Sequence, residues 1–331
     1  MGVEDYDHRP SFANRVIRDL VWSWAVIAGL AALLRIVAHD ANWPLMVANS
    51  FSLYLYFPAY VAAPLLAWRR RWALLSLCLL LACCHIGWVA ADFWPAAAVN
   101  DSTDGRRLRV LSANLHTRNT NPAGILAEIR QADADFLLLQ EYSPGWHQAC
   151  LADGILEQFP HRLFHTQADS FGTAVYSKFE FTEQEIWTTG RIPITEVRVR
   201  LRGVNVRIIN WHPLPPRSFE YFAVQNDQYA DLIKRLEGEQ LPTMIVGDFN
   251  ITQHAFWMQR LESCGFRSAH ELCGRGCAVT YPNGTNPLPP IRLDHALLSE
   301  HVECLQISEG EGRGSDHKPL LAEFLILPAA K

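Results

Sequence analysis

The first hundred residues contain three long apolar runs separated by short polar stretches. The first run, 20–38, carries only one charge, Arg35, and the runs over 41–68 and 72–91 carry none. A helix crosses the hydrocarbon core of a bilayer in roughly 20 residues at about 1.5 Å each. We expect Arg35, one turn from the end of its run, to extend to the interface. The pattern predicts a transmembrane region, 1–94, with spans at about 20–38, 44–68 and 72–91.

Other interpretations of these runs remain open at this stage. Arg15 and Arg18 precede the first run, as in a cleaved signal peptide, although two further spans would still anchor the chain. The three runs also fit the helices of a buried soluble domain. A transporter or channel needs polar side chains within its spans, and the only charged or imidazole groups there are Arg35 and His85. Within the second run, Pro58 predicts a kink, as does Pro64.

Basic residues predict the orientation of these spans. Arg9, Arg15 and Arg18 precede the first span, and three consecutive arginines, 69–71, separate the second from the third. Because short cytoplasmic loops carry an excess of Lys and Arg, both segments are expected in the cytoplasm. Three spans would then place the remainder of the chain outside the cytoplasm, anchored as a multi-pass protein of the plasma (inner) membrane.

The pattern changes after a small, polar segment, 95–105, which we interpret as a linker. From there, 106–331, short β-rich runs alternate with fewer helical ones, a pattern that predicts an α/β (α+β) sandwich. Two helices are expected at 122–131 and 219–236. Strands are expected at 107–113, 135–140, 173–177, 196–201, 204–211, 243–247, 293–298, 302–307 and 320–326.

Charge divides the chain at the same place. Of all residues 49% are apolar and 19% charged, which excludes a disordered chain. The first hundred residues have a net charge of +1 (seven Lys/Arg, six Asp/Glu), and the other 231 a net charge of −6 (22 and 28). An acidic domain with scattered arginines lacks the basic face on which nonspecific DNA binding depends.

The sequence does not predict a zinc site, because no group of His and Cys residues has the spacing of zinc ligands. Five cysteines follow the membrane region: Cys150, Cys264, Cys273, Cys277 and Cys304. Cys273 and Cys277 enclose a short glycine-rich loop, so we expect a disulfide between them in an oxidising compartment. The sequence does not determine how the other cysteines pair.

Polar side chains recur at the carboxyl ends of the predicted strands, where α/β proteins place their sites. Each has an ordinary explanation on its own, such as a turn or a helix cap. Together, several carboxylates at one rim would repel one another unless a divalent cation held them. Oxygen ligands without cysteine favour Mg²⁺, with Mn²⁺ as the alternative. The residues are Asn114, Glu141, His212, Asp248, Asn250, Asp294, Asp316 and His317. His295 faces away from Asp294 on an alternating strand, so we expect it in the core or behind the site.

The motifs around these residues, in order, resemble the endonuclease/exonuclease/phosphatase superfamily from about Arg107 to Leu327. They are SANL at Asn114, LLQE at Glu141, GTAVYS from Gly172, NWHP at His212, VGDFN at Asp248 and Asn250, RLDH at Asp294, and GSDHKP at Asp316 and His317. The resemblance implies a four-layer sandwich of two mixed β-sheets with helices outside. His212 departs from the exonuclease III-like pattern, which has Tyr there, and this argues against an abasic-site repair role.

The resemblance also implies roles for individual residues. Glu141 would be the main Mg²⁺ ligand, supported by Asn114 and Asp316. Asp248 would orient or deprotonate the attacking water, and Asn250 would hold phosphate. His212 and His317 would stabilise the negative charge that grows on the phosphoryl oxygens. Asp294 would orient one of these histidines.

The implied reaction is hydrolysis of a phosphodiester or phosphomonoester by in-line attack of activated water. Because the domain is acidic and tethered beside a bilayer, we expect a lipid head group or small phosphodiester as substrate, outside the cytoplasm. An extracytoplasmic nuclease acting on DNA or RNA is the alternative, and a catalytically silent binding scaffold is the second. Trp146, the pair Phe256 and Trp257, and the loop 282–290 could contact substrate or membrane. The sequence indicates no obligate protein partner.

Overall fold

The computed structural model describes residues 12–94 and 105–327, and the chain divides into two compact units, Met1–Val89 and Ala90–Lys331. Arg9 and all of the expected linker except Gly105 lie outside the described residues. Five helices precede the linker: α1 (Phe12–Ala38), α2 (Trp43–Ser50), α3 (Ser52–Tyr56), α4 (Pro58–Trp68) and α5 (Trp72–Phe93). Two segments, Arg15–Ala38 and Trp72–Phe93, are long and apolar enough to cross a membrane.

The second expected span is not one straight helix. Helix α2 and the following segment Ser52–Trp68 meet at an angle of 69°, so they count as a third span only if the bent pair is taken together. At the break, the Ser50 hydroxyl donates to Met46 O (2.9 Å) and the Ser52 hydroxyl donates to Asn49 O (2.6 Å). Serine hydroxyls that bind helix carbonyls bend helices, which places the main break before Pro58.

Arg35 does not extend outward as expected. Its side chain is buried in the first unit, where Nη1 donates to Ser52 Oγ at 2.7 Å and the guanidinium lies 4.4 Å from the centre of the Trp88 ring. The Ser52 hydroxyl at the helix break supplies the acceptor, and the aromatic ring stabilises the cation. The helix break therefore supplies the hydrogen-bond acceptor for the buried arginine.

The second unit contains twelve strands among its described residues. They are β1 (Arg106–Asn114), β2 (Phe136–Gln140), β3 (His161–His165), β4 (Thr173–Ser177), β5 (Phe181–Thr189), β6 (Ile192–Leu201), β7 (Val204–Asn210), β8 (Thr243–Asp248), β9 (Arg267–Ser268), β10 (Asp294–Leu298), β11 (Val302–Glu309) and β12 (Leu320–Ile326). All nine strands expected from the sequence are present. No pattern in the sequence predicted β3, β5 and β9.

The strands form two six-stranded mixed sheets with the orders β11-β12-β1-β2-β4-β3 and β5-β6-β7-β8-β10-β9. One neighbouring pair in each sheet is parallel, β1 with β2 and β7 with β8, and the other pairs are antiparallel. A large apolar core with contributions from both sheets fills the space between them, including Phe136, Val197 and Phe324. The α/β sandwich of two mixed sheets flanked by helices is confirmed.

Five helices and one short 3-10 helix (Ile155–Gln158) cover the sheets: α6 (Pro122–Ala132), α7 (Pro144–Asp153), α8 (Phe219–Leu236), α9 (Phe256–Ser263) and α10 (Ala269–Leu272). The sequence of α8 contains residues that stabilise the two ends of a helix. The Ser218 hydroxyl accepts from Tyr221 N at the first turn, and Lys234 and Arg235 lie in the last turn, where the helix dipole favours cations. Its buried face includes Tyr229 and Leu232.

A buried hydrogen-bond network joins the two sheets at the carboxyl ends of β2 and β7. Gln140 Nε2 donates to Asn210 Oδ1 at 2.6 Å and to Ser112 Oγ at 3.0 Å. Asn210 Nδ2 in turn donates to Leu139 O (3.0 Å) and Thr173 Oγ1 (2.9 Å). Buried amides of this kind are strongly directional, so the network sets how the two sheets align.

We expect Asn210→Ala to lower the free energy of unfolding of the full-length protein by about 3 kcal/mol, because it leaves several buried polar groups without partners. Thermal unfolding in detergent would measure the loss. Asn205→Ala, on an exposed position of the same strand, is the matched control and should be close to neutral. Equal effects of the two substitutions would contradict the prediction.

Candidate active site

Two pairs of parallel strands carry four of the eight candidate residues. Asn114 ends β1, Glu141 follows β2, His212 comes two residues after β7, and Asp248 ends β8. Asn114 Nδ2 donates to Asp248 Oδ2 at 3.0 Å and lies 3.5 Å from Glu141 Oε1. The Nε2 atom of His212 is 3.6 Å from Asp248 Oδ2. The four side chains therefore meet at one end of the sandwich, where the edges of the two sheets face each other.

A second group completes the site around Asp248. Strand β10 pairs with β8 so that Asp294 lies opposite Asp248. His317 stands between these carboxylates, with Nδ1 at 2.8 Å from Asp294 Oδ2 and Nε2 at 3.6 Å from Asp248 Oδ2. All three side chains are buried, and one ligand-type atom from each lies within 4.8 Å of the others. This set has the composition of a divalent-cation site or of a histidine held between two carboxylates.

Charge favours a protonated histidine in that set. Burial by itself lowers the pKa of His317, but the negative charges of Asp248 and Asp294 outweigh it and raise the pKa to about 10. Burial and the nearby Asp294 raise the pKa of Asp248, although His317 partly opposes them. A protonated imidazole donates from both ring nitrogens, so Nδ1–H binds Asp294 and Nε2–H points towards Asp248.

One carboxylate oxygen of Glu141 is hydrogen-bonded to Thr117, and the other faces the site. Its Oε2 accepts from Thr117 N (2.7 Å) and from the Thr117 hydroxyl (2.9 Å). Burial opposes ionisation, yet the nearby His212 and the Thr117 hydrogen bonds lower the pKa of Glu141. Its backbone lies in the left-handed region, with φ 55°. Oε1, next to the Asn114 amide, is thus an ionised oxygen facing the site, which is the donor type that Mg²⁺ prefers.

Asn250 acts on Asp248 through its backbone. Its N–H donates to Asp248 Oδ1 at 2.9 Å, while its side-chain Nδ2 donates to Pro213 O at 3.0 Å. Like Glu141, it has a positive φ, here 51°. Asp248 consequently faces donors on both carboxylate oxygens, and its orientation is fixed.

Asp316 lies at the edge of this arrangement. Its Oδ1 is 3.8 Å from His116 Nδ1, and its side chain is 37% exposed. No hydrogen bond joins it to Asn114 or Glu141 among the described residues, and its expected role as a metal ligand stays a prediction. Its charge still contributes to the raised pKa of His317.

Sequence reasoning gave no role to several residues that position the site, although Gln140 and Asn210 stand inside the LLQE and NWHP motifs. Thr117 binds Glu141, Gln140 and Asn210 join the two sheets, and the ring of Tyr281 lies 4.9 Å from that of His317. A polar residue three positions after the strand-end Asn114 was the available signal for Thr117. His295 is fully buried behind the site, where Nε2 lies 3.0 Å from Ile251 O.

The aromatic candidates for substrate contact are mostly packing residues. Trp146 is buried and donates from Nε1 to His116 O at 3.3 Å, and Trp257 stacks on Tyr229. The loop 282–290 is largely exposed, including Leu288 at 48%.

Two facing mixed sheets with carboxylates, histidines and an asparagine gathered at their strand ends define a metal-dependent phosphoester hydrolase. The endonuclease/exonuclease/phosphatase family matches residues 111–317, and the chain belongs to that family. Members of the family hydrolyse phosphate esters with divalent metal ions, so the chain is a metal-dependent hydrolase acting on phosphate ester bonds. No curated protein matches the sequence.

Solved structures share the fold at low sequence identity. D. rerio TDP2 complexed with single-strand DNA product is 17% identical, with a TM-score of 0.53 over 66% of this chain and 98% of that chain. The catalytic domain of human Nocturnin with bound sulfate is 17% identical, with a TM-score of 0.51 over 68% and 95%. An endonuclease/exonuclease/phosphatase from Beutenbergia cavernae is 17% identical, with a TM-score of 0.52 over 68% and 72%.

Thr117→Val removes one of the two hydrogen bonds that hold Glu141 Oε2 and keeps the side-chain volume. We expect roughly tenfold weaker binding of the divalent metal ion, as is typical when a group that orients a metal ligand is lost. The metal dependence of hydrolysis and the rise in melting temperature on adding the metal ion would both report it. Thr188→Val, at an exposed position of β5, is the control and should leave metal binding unchanged.

Asp294→Asn removes one of the two negative charges that raise the pKa of His317. The wild type should keep His317 protonated up to about pH 10. The variant should lose the proton at lower pH, because one stabilising charge is gone. The alkaline limb of its pH–rate profile is therefore expected to move to lower pH, and an unmoved limb would show that His317 does not control it.

Proposed function

We propose that this chain is a membrane-anchored, Mg²⁺-dependent phosphoesterase that hydrolyses a lipid head group or a small phosphodiester outside the cytoplasm. The observation that carries the proposal is the buried set of Asp248, Asp294 and His317, with the open oxygen of Glu141 beside it. Buried carboxylates at this density are costly unless cations compensate them, so their presence at the strand ends supports a catalytic centre.

The geometry suits in-line attack of water on phosphorus. Asp248 has a raised pKa and a fixed orientation, so it can orient the water and accept its proton more readily than an ordinary aspartate. Protonated His317 and the neighbouring His212 can stabilise the charge that grows on the phosphoryl oxygens. Asp294 holds His317 in place.

Glu141, Asn114 and Asp316 are the residues that we propose hold the metal. Glu141 Oε1 faces the Asn114 side chain and accepts no hydrogen bond shorter than 3.5 Å among the described contacts. The oxygen chemistry of these three residues fits Mg²⁺, or Mn²⁺ as the alternative. When bound, the ion would supply Lewis-acid neutralisation of phosphoryl charge.

Charge supports a small or lipid substrate over nucleic acid. Residues beyond 100 have a net charge of −6, and phosphate contacts from Lys and Arg supply most nonspecific nucleic-acid affinity. The exposed loop 282–290 with Leu288 is an apolar feature that suits a lipid surface. A nuclease remains the alternative, and single-strand DNA product bound to TDP2 is the observation that favours it.

The number of spans decides the side of the membrane. With α1, the bent pair and α5 as three spans, the catalytic unit would lie opposite the N-terminus. Arg15 and Arg18 at the start of α1 and the arginines at 69–71 support a location outside the cytoplasm. With only α1 and α5 crossing, both ends of the chain would share one side. Reporter fusions at Arg70 and at the C-terminus distinguish these topologies: an outward signal at Arg70, or a cytoplasmic one at the C-terminus, would overturn the proposal.

Full-length protein in detergent, assayed with Mg²⁺ on phospholipids, sphingomyelin, a small aryl phosphodiester and plasmid DNA, tests the function. Glu141→Gln and Asp248→Asn should each lower the rate by about 10²- to 10³-fold, because each removes a group that acts on charge or proton transfer. Asp227→Asn, on the exposed face of α8, is the matched control and should retain the wild-type rate.

Two outcomes would contradict the proposal in different ways. Nicking of DNA without hydrolysis of any lipid would replace the substrate by nucleic acid. Unchanged biological activity of Glu141→Gln and Asp248→Asn would favour a catalytically silent binding scaffold.

A further inference from the structure

Two cysteines that are 31 residues apart in sequence meet at one edge of the sandwich. Cys273 directly follows α10, and its backbone N–H donates to Ala269 O at 3.1 Å. Cys304 lies in β11, where the pairing with β12 shifts register between Cys304 and Gln306. The two Sγ atoms are 2.8 Å apart, whereas Cys277, the partner expected from sequence, makes no such contact among the described residues.

The pair joins the two sheets. Strand β11 is an edge of the first sheet, and α10 follows β9, an edge of the second. Cys304 is buried in the core between the sheets, and Cys273 packs against that core while remaining partly accessible. The same junction is held by the ion pair of Glu309 with Arg275 (2.8 Å), and the buried His270 ring lies 3.4 Å from the Glu309 carboxylate. A covalent bond here would close a loop that contains Asp294.

We propose that Cys273 and Cys304 form a disulfide that fastens the two sheets at this edge, and that Cys273 is the thiol that reacts first. The geometry carries the proposal, since two thiols at this separation need little movement to bond. The Cys304 thiol beside it, together with the positive charge of Arg275, lowers the pKa of Cys273 despite its partial burial.

The oxidant is a disulfide, either a small molecule or a protein. Cys273 thiolate attacks one sulfur of the oxidant, which forms a mixed disulfide and releases the first thiolate. Cys304 then attacks Cys273 Sγ, displaces the second thiolate and yields its proton to it. Two electrons and two protons pass from the cysteine pair to the oxidant, which leaves as two thiols. Cys304 needs no access to solvent because its target is already in contact.

Trypsin separates the three candidate cysteines, because cleavage after Arg267, Arg275, Arg292 and Arg313 places them on different peptides. Full-length protein in detergent is reduced, treated with oxidised glutathione, alkylated and digested. We expect the peptide 268–275 linked to 293–313. Linkage of 268–275 to 276–292, or alkylation of both Cys273 and Cys304 after oxidation, would overturn the proposal.

Stability provides a second, independent readout. Oxidation should raise the melting temperature of the wild type by roughly 5–10 °C, since a cross-link over about 30 residues restricts the unfolded chain. The rise should disappear in Cys304→Ser and also in Cys273→Ser, whose half-buried position tolerates the hydroxyl better. Cys264→Ser, at an exposed cysteine, is the matched control and should keep the full rise. A rise that persists in Cys273→Ser would also overturn the proposal.

Discussion

The candidate site depends on compensation of negative charge in a buried place. Asp248 and Asp294 lie opposite each other on paired strands, and both are almost fully buried. Two carboxylates in that position repel each other, and neither is well solvated, so the arrangement is stable only with cations between them. Protonated His317 supplies one positive charge between them. The two carboxylates in turn keep the proton on His317, although burial alone would favour its neutral form. Glu141, a third acidic group, is held by Thr117 through Oε2, while its Oε1 lies 3.5 Å from the Asn114 amide, and this difference separates the two halves of the site.

Much of the sandwich could be predicted because its buried strands have strong local patterns. Runs such as FLLL in β2 and MIVG in β8 are apolar and are followed directly by polar residues, so strand and site residue were recognised together. The strands that escaped prediction have no such pattern. Strand β5 is mostly exposed over Thr182–Ile186, β3 is only partly buried, and β9 has two residues. These strands form through pairing with neighbours, which a single sequence does not reveal.

The same limit applies to the site. The candidate residues were found by their position after strands, but contacts between distant segments were not. Asp316 belongs to a recognisable motif, yet its contact with His116 was not predicted. The same is true of the hydrogen bonds from Thr117 to Glu141 and from Gln140 to Asn210. In the N-terminal region, composition indicated apolar helices correctly. It could not show that serine hydroxyls break the middle segment, because that depends on which carbonyl each hydroxyl reaches.

The left-handed backbone at Glu141 and Asn250 has an evolutionary consequence. A glycine would adopt either conformation without steric penalty, and asparagine tolerates it at position 250, whereas a glutamate at position 141 costs on the order of 1 kcal/mol or more. Folding alone would thus drive position 141 towards glycine, while turnover of a phosphate ester requires a carboxylate. If the protein were selected for thermal stability and not for catalysis, we expect Glu141 to be replaced early. The resulting variants would lose the reaction and gain stability.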